Sequence, residues 1–298
     1  MGTAENTAAM KNAASLQEAY VTGKVLEARA VLCDYEHNLV VDLGFAKGTI
    51  PRVHGALGIE EGSTRDIAII SRVNKPVCFK VMDMARDIDG NIHPILSRAE
   101  VQRQCQQEFI RNLVPGQIID ARITHIEPFG AFVDIGCGLP SLLPIDAISV
   151  SRISHPSDRF HSGMLIKVVV LGVEEDGRVT LSHKELLGNW EENAALFSPG
   201  STVAGVVRSV EDYGIFVELT PNLAGLAEPS PNVKPGWQAS VYIKNLIPEK
   251  MKVKLIIVDA FEAQYQPQDL HYFIDSGILD RWRYSPDCST RVVETVFR

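Results

Sequence analysis

A repeat with a fixed period constrains this chain more than any other feature. Pro115-Gly116-Gln117 opens a stretch that reaches Phe129-Gly130-Ala131-Phe132-Val133-Asp134-Ile135, and Pro199-Gly200-Ser201 opens another that reaches Tyr213-Gly214-Ile215-Phe216-Val217-Glu218-Leu219. Gly116 to Gly200, Phe129 to Tyr213 and Asp134 to Glu218 are each displaced by the same 84 positions. A more diverged copy lies upstream, where Thr22-Gly23-Lys24 leads to His37-Asn38-Leu39-Val40-Val41-Asp42-Leu43-Gly44, offset by 92 from the middle copy. Repetition at this spacing means one supersecondary unit used three times.

Each unit reads as β structure. Val25, Leu26, Ala28, Ala30 and Leu32 mark a first strand and Leu39 to Leu43 a second. In the middle unit Ile118, Ala121, Ile123 and Ile126 precede a turn, and Phe132, Val133 and Ile135 follow it. Lys167 to Val173, an Asp176-Gly177 turn and Val179 to Leu181 form a closing hairpin, because Asp-Gly between β-rich runs is a strong hairpin signal. Five short strands without helical periodicity between them suit a small closed barrel. The expected fold is mainly β: three tandem five-stranded barrels of the OB type joined by short helices, with a small C-terminal α/β extension.

The expected boundaries are a leader over 1–20, partly disordered or helical, then barrels over 21–97, 115–183 and 199–260. Connecting helices are expected over 98–114 and 184–198, where apolar residues recur at spacings near three and four. They read as packed connectors that hold the barrels in a fixed orientation. The extension, 261–298, stands outside the repeat; Asp269 to Trp282 suggests a helix and Thr290 to Phe297 a strand.

Composition narrows the function. Apolar residues make up 45% and charged residues 22% of 298, an ordinary globular balance. The net charge of −8 argues against a protein that wraps duplex DNA by neutralising phosphates. No apolar run approaches the ~20 residues that span a bilayer. Met1 to Leu16 lacks the basic patch and apolar run of a signal peptide, so a cytoplasmic location is expected. Cys33, Cys78, Cys105, Cys137 and Cys288 are odd in number and scattered, and are expected to be reduced, mostly buried apolar residues. No phosphate loop, metalloprotease motif or nucleophile elbow occurs, and Cys137 has no evident cation nearby to activate it. The eight histidines show no metal-ligand spacing. The chain is therefore expected to be a non-enzyme with neither cofactor nor metal.

The aromatic step is the candidate site. Residues three apart on a regular strand point to opposite faces, but a bulge at Gly130 re-phases the strand and brings Phe129 and Phe132 to one side. Tyr213-Gly214-Ile215-Phe216 repeats the arrangement. Exposed ring pairs of this kind stack unpaired bases at about 1–3 kcal/mol each. The alternative is that Phe132 and Phe216 are simply core. Cations supply the electrostatic half: Lys244, Lys250, Lys252 and Lys254 in the last unit, with 252 and 254 on one face by alternation, and Arg152, Arg159, Lys167 and Arg178 in the middle unit. Arg152 and His155 fall in a loop, which equally suits a buried 3₁₀ turn.

These residues resemble the S1-type RNA-binding domain. Pro115 to Lys184 carries the closest likeness, through Phe-Gly-Ala-Phe-Val-Asp-Ile-Gly and the closing Gly177-Arg178-Val179-Thr180-Leu181-Ser182. The last unit matches well and the first weakly, and the order of units resembles the shortened, Gram-positive type of ribosomal S1 family. In such domains two aromatics, a histidine after the third strand, and an acid and a base at the closing hairpin form the RNA face. The resemblance therefore assigns Phe129, Phe132, Glu174 and Arg178 in the middle unit, and Tyr213, Phe216 and Lys252 in the last. Pro144 and Glu228 stand where the histidines belong, and an anion at 228 opposes phosphate. His37 and Val40 occupy the aromatic positions of the first unit, which has lost its stacking pair. In the family, leading repeats dock on the ribosome. The implied function is binding of single-stranded RNA, holding mRNA near the small ribosomal subunit. A protein-interaction scaffold and an RNA-binding accessory of decay or transcription machinery are the alternatives.

Overall fold

The computed structural model describes residues 3–136, 138–174, 177–263 and 270–298. Cys137, Asp176 and Asp269 lie outside the described residues. The chain divides into two compact units, residues 1–112 with 136–139, and residues 113–135 with 140–298.

The first unit opens with two short helices, α1 (Ala4–Ala9) and α2 (Ala13–Val21), whose first turns are capped by the side chains of Thr3 and Asn12. Strands β1 (Leu26–Cys33), β2 (Leu39–Asp42), β3 (Lys47–Ile50), β4 (Pro76–Asp83) and β5 (Ile95–Ser97) close into a barrel in the order β1-β2-β3-β5-β4. A one-turn helix, α3 (Ile67–Ile70), lies between β3 and β4. Alternation decides which residues go inside: Leu26, Ala28, Ala30, Leu39, Val41, Val77, Phe79 and Leu96 are all buried in one cluster. Helix α4 (Arg98–Glu108) follows, started by the Ser97 hydroxyl, which accepts from the Glu100 N–H.

The second unit holds two more barrels with the same connectivity. β6 (Ile118–Glu127), β7 (Gly130–Asp134), β8 (Pro140–Pro144), β9 (Leu165–Val173) and β10 (Val179–Ser182) close in the order β10-β8-β7-β6-β9. After helix α5 (Trp190–Ala194), the last barrel closes as β11-β12-β13-β15-β14, from β11 (Thr202–Glu211), β12 (Gly214–Thr220), β13 (Leu223–Ala227), β14 (Gln238–Ile247) and β15 (Lys252–Phe261). In all three the first strand pairs with the second and fourth, and the third and fifth run parallel. This is the OB-type barrel, three times over. Closure leaves no strand edge open to other chains.

The bulge is not at Gly130. It lies on the facing strand, between Ile123 and His125 on β6, and recurs between Val207 and Ser209 on β11. The glycine answers a different need: a Cβ at Gly130 would sit 2.5 Å from the Leu143 carbonyl oxygen, and one at Gly214 2.7 Å from that of Ala227. Strands β7 and β12 cross their neighbours too closely at these points for any side chain.

Two expected helices are corrected. The connector after the middle barrel is a 3₁₀ turn over Lys184–Leu187, a break at Gly188 with φ +82°, and then α5, restarted by a capping box between Asn189 and Glu192. In the extension, residues 270–280 are not helical. Their backbone joins the start of the middle barrel, with Ile118 N–H donating to Gly277 O at 3.0 Å and Leu279 N–H to Gly116 O at 2.9 Å. Strands β16 (Arg281–Arg283) and β17 (Glu294–Val296) then pair, and Trp282 and Tyr284 bury themselves in the last barrel's apolar cluster. The cysteines also differ from expectation: only Cys105 of the described thiols is buried, while Cys33 and Cys78 are half-buried and Cys288 is exposed. Among the described residues no helix is long and apolar enough to cross a membrane, and no cluster of His, Cys, Asp and Glu fits a metal.

Within the second unit the long loop between β8 and β9 is stitched to the last barrel. Val150 N–H donates to Asn222 Oδ1 at 2.9 Å and Ser151 N–H to Pro221 O at 3.1 Å. A few residues on, Arg159 and Arg208 share the Glu218 carboxylate, and Arg208 also reaches Asp158 at 3.4 Å. Arg159 is 2% and Glu218 5% exposed. Arg159, expected as an RNA-facing cation, instead belongs to this buried ion cluster.

Candidate nucleic-acid interface

The two-residue turn Pro128-Phe129 joins β6 to β7, so Glu127 pairs with Gly130 and, past the bulge, His125 with Phe132. Inward positions on β7 are Ala131 and Val133; Phe132 therefore faces out, half-buried, and Phe129 projects from the turn at 55% exposure. The two rings meet edge to face, centroids 6.1 Å apart and planes at 88°. In the last barrel Tyr213, 68% exposed, and Phe216 repeat this at 6.2 Å and 86°. The aromatic step is thus an outward corner of two perpendicular rings, made twice. Neither ring pair is core.

Register extends each corner across the barrel. Phe132 pairs with Leu142, and Leu142 with Thr180, so Arg178, immediately before β10, lies two residues from Thr180. The Arg178 guanidinium approaches Glu174 at 3.5 Å, both side chains well exposed. In the last barrel Phe216 pairs with Leu226, and Leu226 with Lys254, which puts Lys254 two strands from the ring, or about 10 Å. Lys252 follows at the next outward position, opposite Ile247, and both lysines are exposed. Lys244 is exposed too, at the bulge of β14 between Ile243 and Asn245.

Three expected site residues go elsewhere. Lys167 pairs with Asp120 at 2.9 Å on β9, five residues down β6 from His125, roughly 17 Å from the corner. His155 caps the 3₁₀ turn Pro156–Asp158, its Nδ1 accepting from Ser157 N–H at 3.2 Å, so that loop does contain the 3₁₀ turn. Arg152 stands away from the middle barrel's rings; it lines a groove with Tyr213 and Phe216 of the last barrel.

Residues 113–184, the middle barrel with its flanks, match the S1 RNA binding domain family. The small ribosomal subunit protein bS1 of Rhizobium meliloti (strain 1021) is 29% identical over 76% of this chain and 41% of its own length. The bS1 homolog of Bacillus subtilis (strain 168) is 33% identical over 71% of this chain and 54% of its own, and that of Bacillus cereus (strain ATCC 10987 / NRS 248) 29% over 85% and 69%. The chain is thus similar to bS1 ribosomal proteins over most of its length, and its residues 113–184 match the S1 RNA binding domain. It spans about two fifths of the Rhizobium relative and about half of the B. subtilis one.

Two features of these barrels do not follow from strand alternation alone. His125 stacks on Phe132, centroids 6.4 Å apart and planes 23° from parallel, and pairs with Glu127 at 2.7 Å. The middle corner therefore has a third ring; Ser209 holds that place in the last barrel. The bulge on β6 is what sets His125 opposite Phe132; a bulge at Gly130 does not bring it there. The first barrel lacks the corner altogether. His37 sits in a left-handed turn, φ +65°, with its ring 3.3 Å from Asp66, and Val40 lies opposite Leu32. Around the matching positions that barrel shows aliphatic Leu32 and, in the hairpin turn, a nearly fully exposed Tyr35, and elsewhere exposed Ile67 and Ile88.

Proposed function

We propose that the chain binds single-stranded RNA on the ring corners of its middle and last barrels and holds mRNA at the small ribosomal subunit during translation. One observation carries the reading: a perpendicular ring pair displayed to solvent in nearly the same geometry on two barrels. A base laid on the open face of Phe129 or Tyr213 leaves the next base against Phe132 with His125, or against Phe216. Unpaired bases present such faces and duplexes hide them. Phe129, Phe132, Glu174 and Arg178 serve the middle corner, and Tyr213, Phe216, Lys244, Lys252 and Lys254 the last. The family match and the bS1 relatives support this assignment, and their printed names supply the ribosomal context. The first barrel, without a corner but with Leu32 and Tyr35 exposed, suits docking on protein of the small subunit. A binding role of this kind needs no catalytic group and places the chain in the cytoplasm with the ribosomes.

The test is fluorescence anisotropy with a labelled unstructured RNA. Binding by the intact chain, lost when Phe129→Ala and Tyr213→Ala are combined, is the expected result. Unchanged affinity in that double variant discards the ring corners; absence of RNA binding by the intact chain leaves the scaffold reading. Copurification with 30S particles checks the ribosomal half.

A further inference from the structure

Resting on that RNA-binding reading, we propose that the last barrel's nucleotide site is composite: the loop of the middle barrel supplies its phosphate-facing wall through Arg152. The last barrel's own loop between β13 and β14 is short, residues 228–237, whereas the middle barrel's runs over 145–164. It is the longer loop that reaches across. Val150, Ser151, Arg152, Ile153 and Ser154 face Tyr213, Phe216 and Ser209 over a groove.

Arg152 is held in place from both sides. Upstream, Val150 and Ser151 are hydrogen-bonded to Asn222 and Pro221; downstream, Asp158 and Arg159 are tied to Arg208 and Glu218. Its own guanidinium is exposed and, among the described residues, has no hydrogen-bond or ion-pair partner. An arginine on a pinned loop is pre-organised for a phosphate, since its fork loses little freedom on binding. The opposite wall carries Glu211 and Arg208, the latter already engaged by Glu218 and Asp158, so phosphate is directed to the Arg152 side and a base to the rings. The arrangement also answers a defect of the isolated repeat. Glu228 stands where an S1 face carries a histidine, and Arg152 brings a cation to that corner from the neighbouring barrel.

The experiment measures RNA affinity of the full chain with Arg152→Ala, Tyr213→Ala and Phe129→Ala, singly and in pairs. Arg152→Ala is expected to weaken binding about tenfold and to lower the salt slope by about 0.7. Combined with Tyr213→Ala its effect should fall well short of the product of the two, while combined with Phe129→Ala it should multiply. Coupling to Phe129 instead, or no loss from Arg152→Ala while Tyr213→Ala weakens binding, overturns the composite site and leaves the RNA reading standing. Failure of the unaltered chain to bind RNA overturns the RNA reading itself.

Discussion

The middle and last barrels set their rings at almost the same distance and angle, yet the ground around each corner differs. The middle corner has a histidine stacked on it and a cation, Arg178, partnered by Glu174. The last corner has a serine in place of the histidine, two exposed lysines two strands away, and a groove wall from the loop of its neighbour. Even the matching acids diverge: Asp134 is half-buried on the surface, whereas Glu218 is sealed between two guanidiniums. A repeat thus keeps the geometry that stacking requires and varies the charges, which are free to follow from what each barrel touches.

The sharpest way to break this comparison is at the matching acids. Glu218→Gln strips the charge that balances Arg159 and Arg208 and is expected to cost about 3–5 kcal/mol of stability, read by denaturant unfolding. Asp134→Asn should cost about 1 kcal/mol or less. Equal losses would mean the buried network contributes nothing special to the last barrel.

Acid should separate the barrels next. His183, at the end of the middle barrel, is fully buried, and burial pushes its pKa from 6.5 to about 4 despite a hydrogen bond to Ile148 O. An unfolded histidine binds its proton near pH 6.5 and the folded one only near 4, so stability is complete above pH 6.5 and declines as the pH falls toward 4. The loss is on the order of 3 kcal/mol. The matching position in the last barrel is Ile257. His183→Gln should flatten the decline between those pH values in thermal unfolding; an unchanged profile would assign it to other groups.

Smaller effects concern RNA. Phe129→Ala and Tyr213→Ala are each expected to lose about 1–3 kcal/mol of binding, and His125→Ala should deepen only the first. The least effect is in salt dependence. Lys252→Gln and Lys254→Gln should each lower the slope of log affinity against log salt by about 0.7. Arg178→Gln, already partnered by Glu174, should lower it less. A larger change at Arg178 would make the middle corner the more electrostatic of the two.

How far the sequence could be read follows from how local each signal was. Strand alternation and the fixed repeat spacing carried the three barrels, because inside–outside patterning is written residue by residue. The outward rings of Phe129 and Phe132 were legible as well, although by a bulge on the facing strand rather than at Gly130. His125 was not, since its place depends on that cross-strand slip. Arg152, Arg159 and Lys167 were recognisable only as cations; their partners, Tyr213 across a groove, Glu218 and Asp120, are set by packing at long sequence separation or across strands. The segment 270–280 defeated pattern reading for the same reason, being held by hydrogen bonds to another element's backbone.

That segment has one more consequence. At Gly116 a Cβ would lie 1.9 Å from the Leu279 carbonyl oxygen, while at Gly200, its twin in the repeat, only the Tyr242 hydroxyl comes as near as 3.9 Å. Both adopt positive φ, but only the first is also a docking notch. Trimming the protein after the third barrel would leave that notch vacant, strip Trp282 and Tyr284 from an apolar interior and uncover the ring of His183 that Tyr272 now meets. The shortened polypeptide would be a different folding problem, in which the terminal forty or so amino acids are missed as mortar, not as ornament.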